Sequence, residues 1–240
     1  MFFQLALAAV AILGGGIASL SGFGIASLLT PLLAVKTGIS LAVAAAAIAH
    51  FFGTGLRFLL LRKHLNRQVL LSFGLTSAAG GLAGALLHIV VQSVVLTIVF
   101  GCLLVFAGIM GLTGLADRLR FRGPAAWIAG GLSGLFGGLV GNQGGIRSAA
   151  MLGFSLERDQ FVATATGIAL FVDFARLPVY LAAQWDRLIA IWPYIVMATV
   201  GVVVGTVAGK DVLRRLPELV FKKVLAGIIL GIGVLVLFVR

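Results

Sequence analysis

Between Gly134 and Leu152 the chain reads GLFGGLVGNQGGIRSAAML, an apolar stretch interrupted by glycines, two amides and an arginine. Backbone that leaves a helix inside a bilayer must be buried in protein or line a wet cavity. A helix restarting at Gly144 and Gly145 aims free N–H groups and the positive end of its dipole into the break. Glycine lets a ligand come close to the backbone. Asn142 and Gln143 bring amide donors and acceptors. Arg147, in the first turn after the break, adds a fixed charge whose donor fork suits carboxylate, sulfonate or sulfite oxygens. Together these groups make a cradle for a small anion. A tight helix crossing with a polar kink would account for the glycines, but has no need of Arg147.

A second break, SGFG at Ser21–Gly24, repeats the device without charge. Ser21, Gly22 and Gly24 shape it, and Ser19 and Ser27 add small hydroxyls. Alone it reads as helix packing; its weight comes from the pairing with the first.

Ionisable groups inside apolar helices are the other candidates. Arg57 lies near a helix end, so it either snorkels to the surface or faces the site. Arg176 is further from its loop, and Asp173 precedes it by one turn on the same face. That pair is either a structural ion pair or a proton-carrying carboxylate with its partner. His50, seven residues before Arg57, shares its helix face; it is either a proton-coupling base or a hydrogen-bonding helix contact. His64 belongs to a loop, and His88 is placed near the outer end of its helix. No spacing suggests a metal cluster or haem ligation, so no metal or cofactor is expected.

The elements that carry these residues are set by composition. The 240 residues are 61% hydrophobic and 10% charged, with 33 glycines and a mean hydropathy of +1.18. Apolar runs of about 20 residues recur along the whole length, the signature of a polytopic membrane protein. The formal charge of +11 falls mostly in short loops, where topology and anionic lipid explain it better than nucleic acid does. The lone Cys102 excludes an internal disulfide or a cysteine metal site. The N-terminus has no positively charged leader and reads as mature protein.

Continuous helices are expected at about 39–61, 69–90, 94–114, 160–182, 188–208 and 220–239. Phe2–Val35 and Ala125–Phe154 are apolar but broken. Each is too long for one straight crossing and short for two, which fits a hairpin of shortened helices. These two regions open the two halves of the chain and look like copies. HFFGTGLRF sits opposite ALFVDFARL, placing Arg57 opposite Arg176 and Thr54 opposite Asp173. GGLAG at Gly80–Gly84 then matches GVVVG at Gly201–Gly205.

Loop charge orients the copies. Arg62, Lys63 and Arg67 form one basic loop; Arg118, Arg120 and Arg122 a second; Lys210, Arg214, Arg215, Lys222 and Lys223 a third. All three are assigned to the cytoplasm. The loop Ala182–Arg187 is then external, although its counterpart after Leu61 is internal. The copies are therefore inverted, each with a broken hairpin and three crossings. The first repeat covers 1–114, a cytoplasmic linker 115–124, and the second repeat 125–240. Eight simple crossings with parallel copies is the alternative arrangement.

The paired breaks SGFGIASLLTPLL and GLFGGLVGNQGGIRSAAML resemble the repeat signatures of the TauE/SafE sulfite exporter family, also called TSUP. The resemblance covers nearly the whole chain. It implies an inner-membrane, multi-pass transporter of anions such as sulfite and organosulfonates. The signature often carries a proline shortly after the glycine break. Pro31 fits in the first copy, whereas the second has Ala149 and Ala150 there, with Arg147 adding charge.

The expectation is thus an all-α inverted-repeat secondary transporter of a small anion working by alternating access. It binds substrate through Ser21, Gly22, Gly24, Asn142, Gln143, Gly144, Gly145, Arg147, Arg57 and Arg176, with His50 and Asp173 as proton-coupling candidates. An anion channel, a membrane scaffold and a membrane enzyme are the rivals; the last lacks a nucleophile–base pair or metal triad. Membrane lipid and a second copy of the chain are the partners considered.

Overall fold

The glycines at the two breaks stop their helices in the same way. Gly22 has φ 80° and Gly141 φ 78°, the left-handed conformation that only glycine adopts without strain. Each N–H returns to the carbonyl four residues back, Gly22 to Ala18 at 2.9 Å and Gly141 to Gly137 at 3.0 Å. These are the hinges of a computed structural model that describes residues 2–91, 93–115, 123–142, 144–151, 154, 156–213 and 218–238.

In the first half, α1 (Phe2–Ser21) leads through the break into α2 (Ile25–Thr37), then α3 (Ile39–Leu61), α4 (Arg67–Val90) and α5 (Ser93–Thr113). In the second, α6 (Pro124–Val140) leads through its break into α7 (Gly144–Met151), then α8 (Arg158–Ala190), α9 (Trp192–Leu213) and α10 (Glu218–Phe238). A short 3-10 turn, Arg62–His64, joins α3 to α4. The Asn66 side chain caps α4 by accepting from Val69 N–H at 3.1 Å. Pro124 opens α6, where its missing N–H costs no hydrogen bond. Among the described residues there is no strand.

Among the described residues five helices are long and apolar enough to cross a membrane, those covering Phe2–Leu20, Ile39–His64, Arg67–Val90, Ser93–Thr113 and Asp159–Ala190. Large apolar side chains stay exposed on the outer faces of these helices, among them Leu86 and Ile109, and on α9, with Val200 and Val207. That surface suits hydrocarbon rather than water. The chain is an all-helical, polytopic membrane protein.

The two halves pack through matching elements. α1 lies on α9 as α6 lies on α4, α3 and α8 meet at the centre, and α5 meets α10. Glycine brings the backbones together at each seam. A Cβ at Gly84 would collide with Leu135 O, and one at Gly205 with Ile12 O. Gly80 and Gly201, the other ends of the matched motifs, meet Gly131 and Ala11. The central α3 is buried almost throughout between Leu41 and Ala49, which seals the middle of the bundle.

Two expectations about boundaries are corrected. The first broken region is not a hairpin of two shortened helices: α1 has 20 residues, enough for about 30 Å, and only α2, with 13, is short. Its glycines at 14–16 remain helical, with Gly15 held against Val202 O of α9. The second region has arms of 17 and 8 residues. The expected loop Ala182–Arg187 is helical instead. α8 runs on to Ala190 with one non-helical residue, Gln184 (φ −133°, ψ 21°). The stretch LAAQWDRLIA holds good helix formers and neither glycine nor proline. The chain turns only at Ile191, with Pro193 in the first turn of α9. Arg118, Arg120, Arg122, Arg214 and Arg215, used above to orient the chain, lie outside the described residues, as does most of the linker.

Candidate functional site

The two breaks touch. Gly144, first residue of α7, lies against Phe23 so closely that a Cβ there would collide with the phenylalanine ring. The Ser27 hydroxyl of α2 faces Asn142 Oδ1 at 3.4 Å. Arg147 of α7 donates from Nη2 to the Gly22 carbonyl at 3.3 Å. Gly22 and Gly24 are buried, as are Asn142 and Gly144. The two breaks, one from each half, thus meet at one point. Gly145 lies in the first turn of α7; Gln143 and the side chain of Ser21 lie outside the described residues.

Beside this junction stand three buried guanidiniums and one buried carboxylate. Arg57 and Arg147 are each 1% exposed, and Arg176 and Asp173 are 0% exposed. Arg57 does not snorkel; it turns into the bundle from the last part of α3. Arg176 is tied on two sides: Nε donates to Asp173 Oδ1 at 3.0 Å and Nη1 to Gly137 O at 2.5 Å, while Nη2 makes an ion pair with Asp173 Oδ1 at 2.7 Å but no hydrogen bond. The other carboxylate oxygen, Oδ2, takes the His50 Nδ1–H at 2.7 Å. The Thr54 hydroxyl lies 3.4 Å from the same ring nitrogen.

This network also finishes α6. The end of a helix leaves carbonyls with acceptor capacity to spare. Arg176 gives Gly137 O a second donor beside the Gly141 N–H, and the Tyr180 hydroxyl donates to Gly138 O. A guanidinium at a helix C-terminus also meets the negative end of its dipole.

The other two arginines are left differently. Arg57 donates from Nε to Thr166 Oγ1 at 2.9 Å, but its Nη1 and Nη2 have no hydrogen-bond partner. Arg147 has its one bond to Gly22, and its Nε and Nη1 have none. Arg57 and Arg147 act electrostatically on each other and on Asp173, and Arg147 also on Arg176. With His50 neutral, three guanidiniums against one carboxylate leave an excess of two positive charges. Buried charge without a partner is strongly unfavourable.

Sequence reasoning set Asp173 and Arg176 on one helix face and left Arg57 open between the surface and the interior; the structure buries Arg57, Arg147 and Arg176. The sequence reading treated His50 and Asp173 separately, whereas they are bonded across the halves. It missed Thr166 and Tyr180, whose roles depend on what α8 packs against. His88, expected near the end of its helix, lies in the last turn of α4 and is 1% exposed. Its Nδ1–H donates to Leu139 O at 2.7 Å, and Nε2 faces the Ser40 hydroxyl at 3.0 Å. A histidine in an apolar helix was the available signal. Among the described residues no group of His, Cys, Asp and Glu is arranged to hold a metal ion.

A family profile described as Sulfite exporter TauE/SafE matches residues 7–236. No curated protein and no solved structure matches the chain.

Proposed function

Because the chain belongs to the sulfite exporter TauE/SafE family, we propose that it is a transporter, not an enzyme, that carries a sulfur oxyanion such as sulfite, or an organosulfonate. The observation that carries this reading is the pair Arg57 and Arg147, both buried and together holding four nitrogens with no hydrogen-bond partner. An anion stripped of water needs replacement donors. Two guanidinium forks supply them, and the start of α7 adds its backbone dipole. Asn142, Gly144 and Gly145 shape the approach, and Gly22 and Gly24 with Ser21 do so from the other half. Gln143 is assigned to the same cradle. Arg176 completes the field by holding Asp173 in place.

The transport cycle proposed is alternating access, with repeats 1–114 and 125–240 inverted about the junction and joined by the linker 115–124. The matched packing of α1 on α9 and α6 on α4 supports two equivalent halves. Localisation in the inner membrane is the natural setting. The His50–Asp173 pair is the proton-coupling element, since among the described residues it links a base and an acid across the halves. A homodimer in the bilayer is compatible with the exposed apolar faces of α5 and α10.

The test is an equilibrium binding screen on purified protein across sulfite, sulfate, sulfoacetate, taurine and simple carboxylates. Saturable binding of sulfite or sulfoacetate that weakens by about tenfold or more, but stays measurable, in Arg57→Ala and Arg147→Ala is the expected result. Equal binding in all three proteins would overturn the site.

A further inference from the structure

We propose that Thr166 is a positioning residue that sets the direction of the Arg57 fork, an inference that rests on the anion-site reading. Thr166 lies on α8, in the half of the chain opposite to Arg57. Its hydroxyl proton is already committed, donated to Val162 O at 2.7 Å within its own helix. The oxygen is therefore left as an acceptor, and Arg57 Nε–H fills it at 2.9 Å. Thr166 is 0% exposed, so no water competes for that oxygen.

Fixing Nε fixes the rest of the guanidinium, because the group is planar. With its inner edge held, Arg57 presents Nη1 and Nη2 outward, and those are the two nitrogens without partners. Arg147 is held in a matching way. Its Nη2 is anchored to the Gly22 carbonyl, in the first half, and its Nε and Nη1 stay open. Each arginine is thus tethered by the half to which it does not belong. Thr166 does not touch the anion; it determines where the Arg57 donors meet it.

The geometry is specific to a hydroxyl. Valine keeps the branched shape of threonine but removes the acceptor, leaving Arg57 Nε buried and unpaired and the fork free to rotate. Serine keeps the acceptor and loses only a methyl group. A bond to a charged group makes the expected loss for Thr166→Val about 10- to 100-fold in anion affinity.

The experiment uses the full-length chain and radiolabelled sulfite, with sulfoacetate as competitor, and follows thermal unfolding of every variant. Thr166→Val is expected to weaken binding by that factor, and Thr166→Ser to restore it to within about threefold of the wild type. In an Arg57→Ala background, Thr166→Val is expected to change affinity less than about twofold, since the group it positions is gone. A purely structural threonine would give the same loss in both backgrounds, and that result overturns the proposal. Wild-type affinity in Thr166→Val, with binding lost in Arg57→Ala, overturns it while leaving the anion site intact. A wild-type chain that binds neither anion overturns the anion site and this assignment together.

Discussion

His50 Nδ1 lies 2.7 Å from Asp173 Oδ2, so one carboxylate joins α3 of the first half to α8 of the second, while its other oxygen holds Arg176. A proton placed on this carboxylate would release both partners at once. Asp173→Asn copies the protonated acid. It is expected to flatten the pH dependence of flux in proteoliposomes between about pH 5 and about pH 8, the range in which an ordinary histidine changes charge. It is also expected to lower the unfolding temperature, because Arg176 and His50 lose their counter-charge. If Asp173→Asn and His50→Gln both keep the wild-type pH profile, these residues have no part in coupling.

Arg147→Ala keeps the backbone of α7 but removes the charged fork. Anion affinity is expected to fall by about 10- to 100-fold. Arg147→Lys should recover only part of this, because an ammonium cannot present two parallel donors. Equilibrium binding of sulfite and sulfoacetate measures both. Normal affinity in a folded Arg147→Ala protein places this residue outside the site.

Inversion of the halves is checked by labelling. In a Cys102→Ser background, Lys63→Cys reports the exposed turn after α3 and Asp186→Cys the exposed segment beside Gln184. A membrane-impermeant thiol reagent is expected to reach Asp186→Cys from outside and Lys63→Cys only after the membrane is opened. Labelling of both from one side means the copies are parallel.

The seams between halves give a stability test. Gly84→Val and Gly205→Val would push side chains into Leu135 and Ile12 of the facing helices. Overpacking of this kind typically costs about 1–3 kcal/mol. Gly227 has open space around its missing side chain, and Gly227→Ala should leave thermal unfolding unchanged. Equal behaviour of all three variants would mean that these close contacts do not hold the halves together.

Much of this was legible in the sequence. Apolar length set the helices, and Ile39–Leu61 was placed to the residue because Gly38 and a basic turn bound it. The breaks were legible because glycine clusters inside apolar runs have few other uses in a bilayer. The Asp173–Arg176 pair followed from helical spacing alone. What the sequence hid was everything that needs two segments. Nothing local to His50 indicates Asp173, and nothing local to Thr166 indicates Arg57. The kink at Gln184 was read as a loop because polar residues in a membrane protein suggest a surface, whereas Gln184 is buried beside His88.

The open nitrogens of Arg57 and Arg147 have a consequence at the bench. Under the proposed reading, an anion that fits between these two like charges stabilises the fold. Ligand bound only by the folded state adds about 2.7 kcal/mol of stability at a hundred times its dissociation constant. The buffer salt chosen for extraction and crystallisation thus becomes a chemical variable of the protein itself. Samples prepared in sulfate, chloride or a bulky organic anion will differ in melting temperature, and ranking those temperatures profiles the site before any transport is measured.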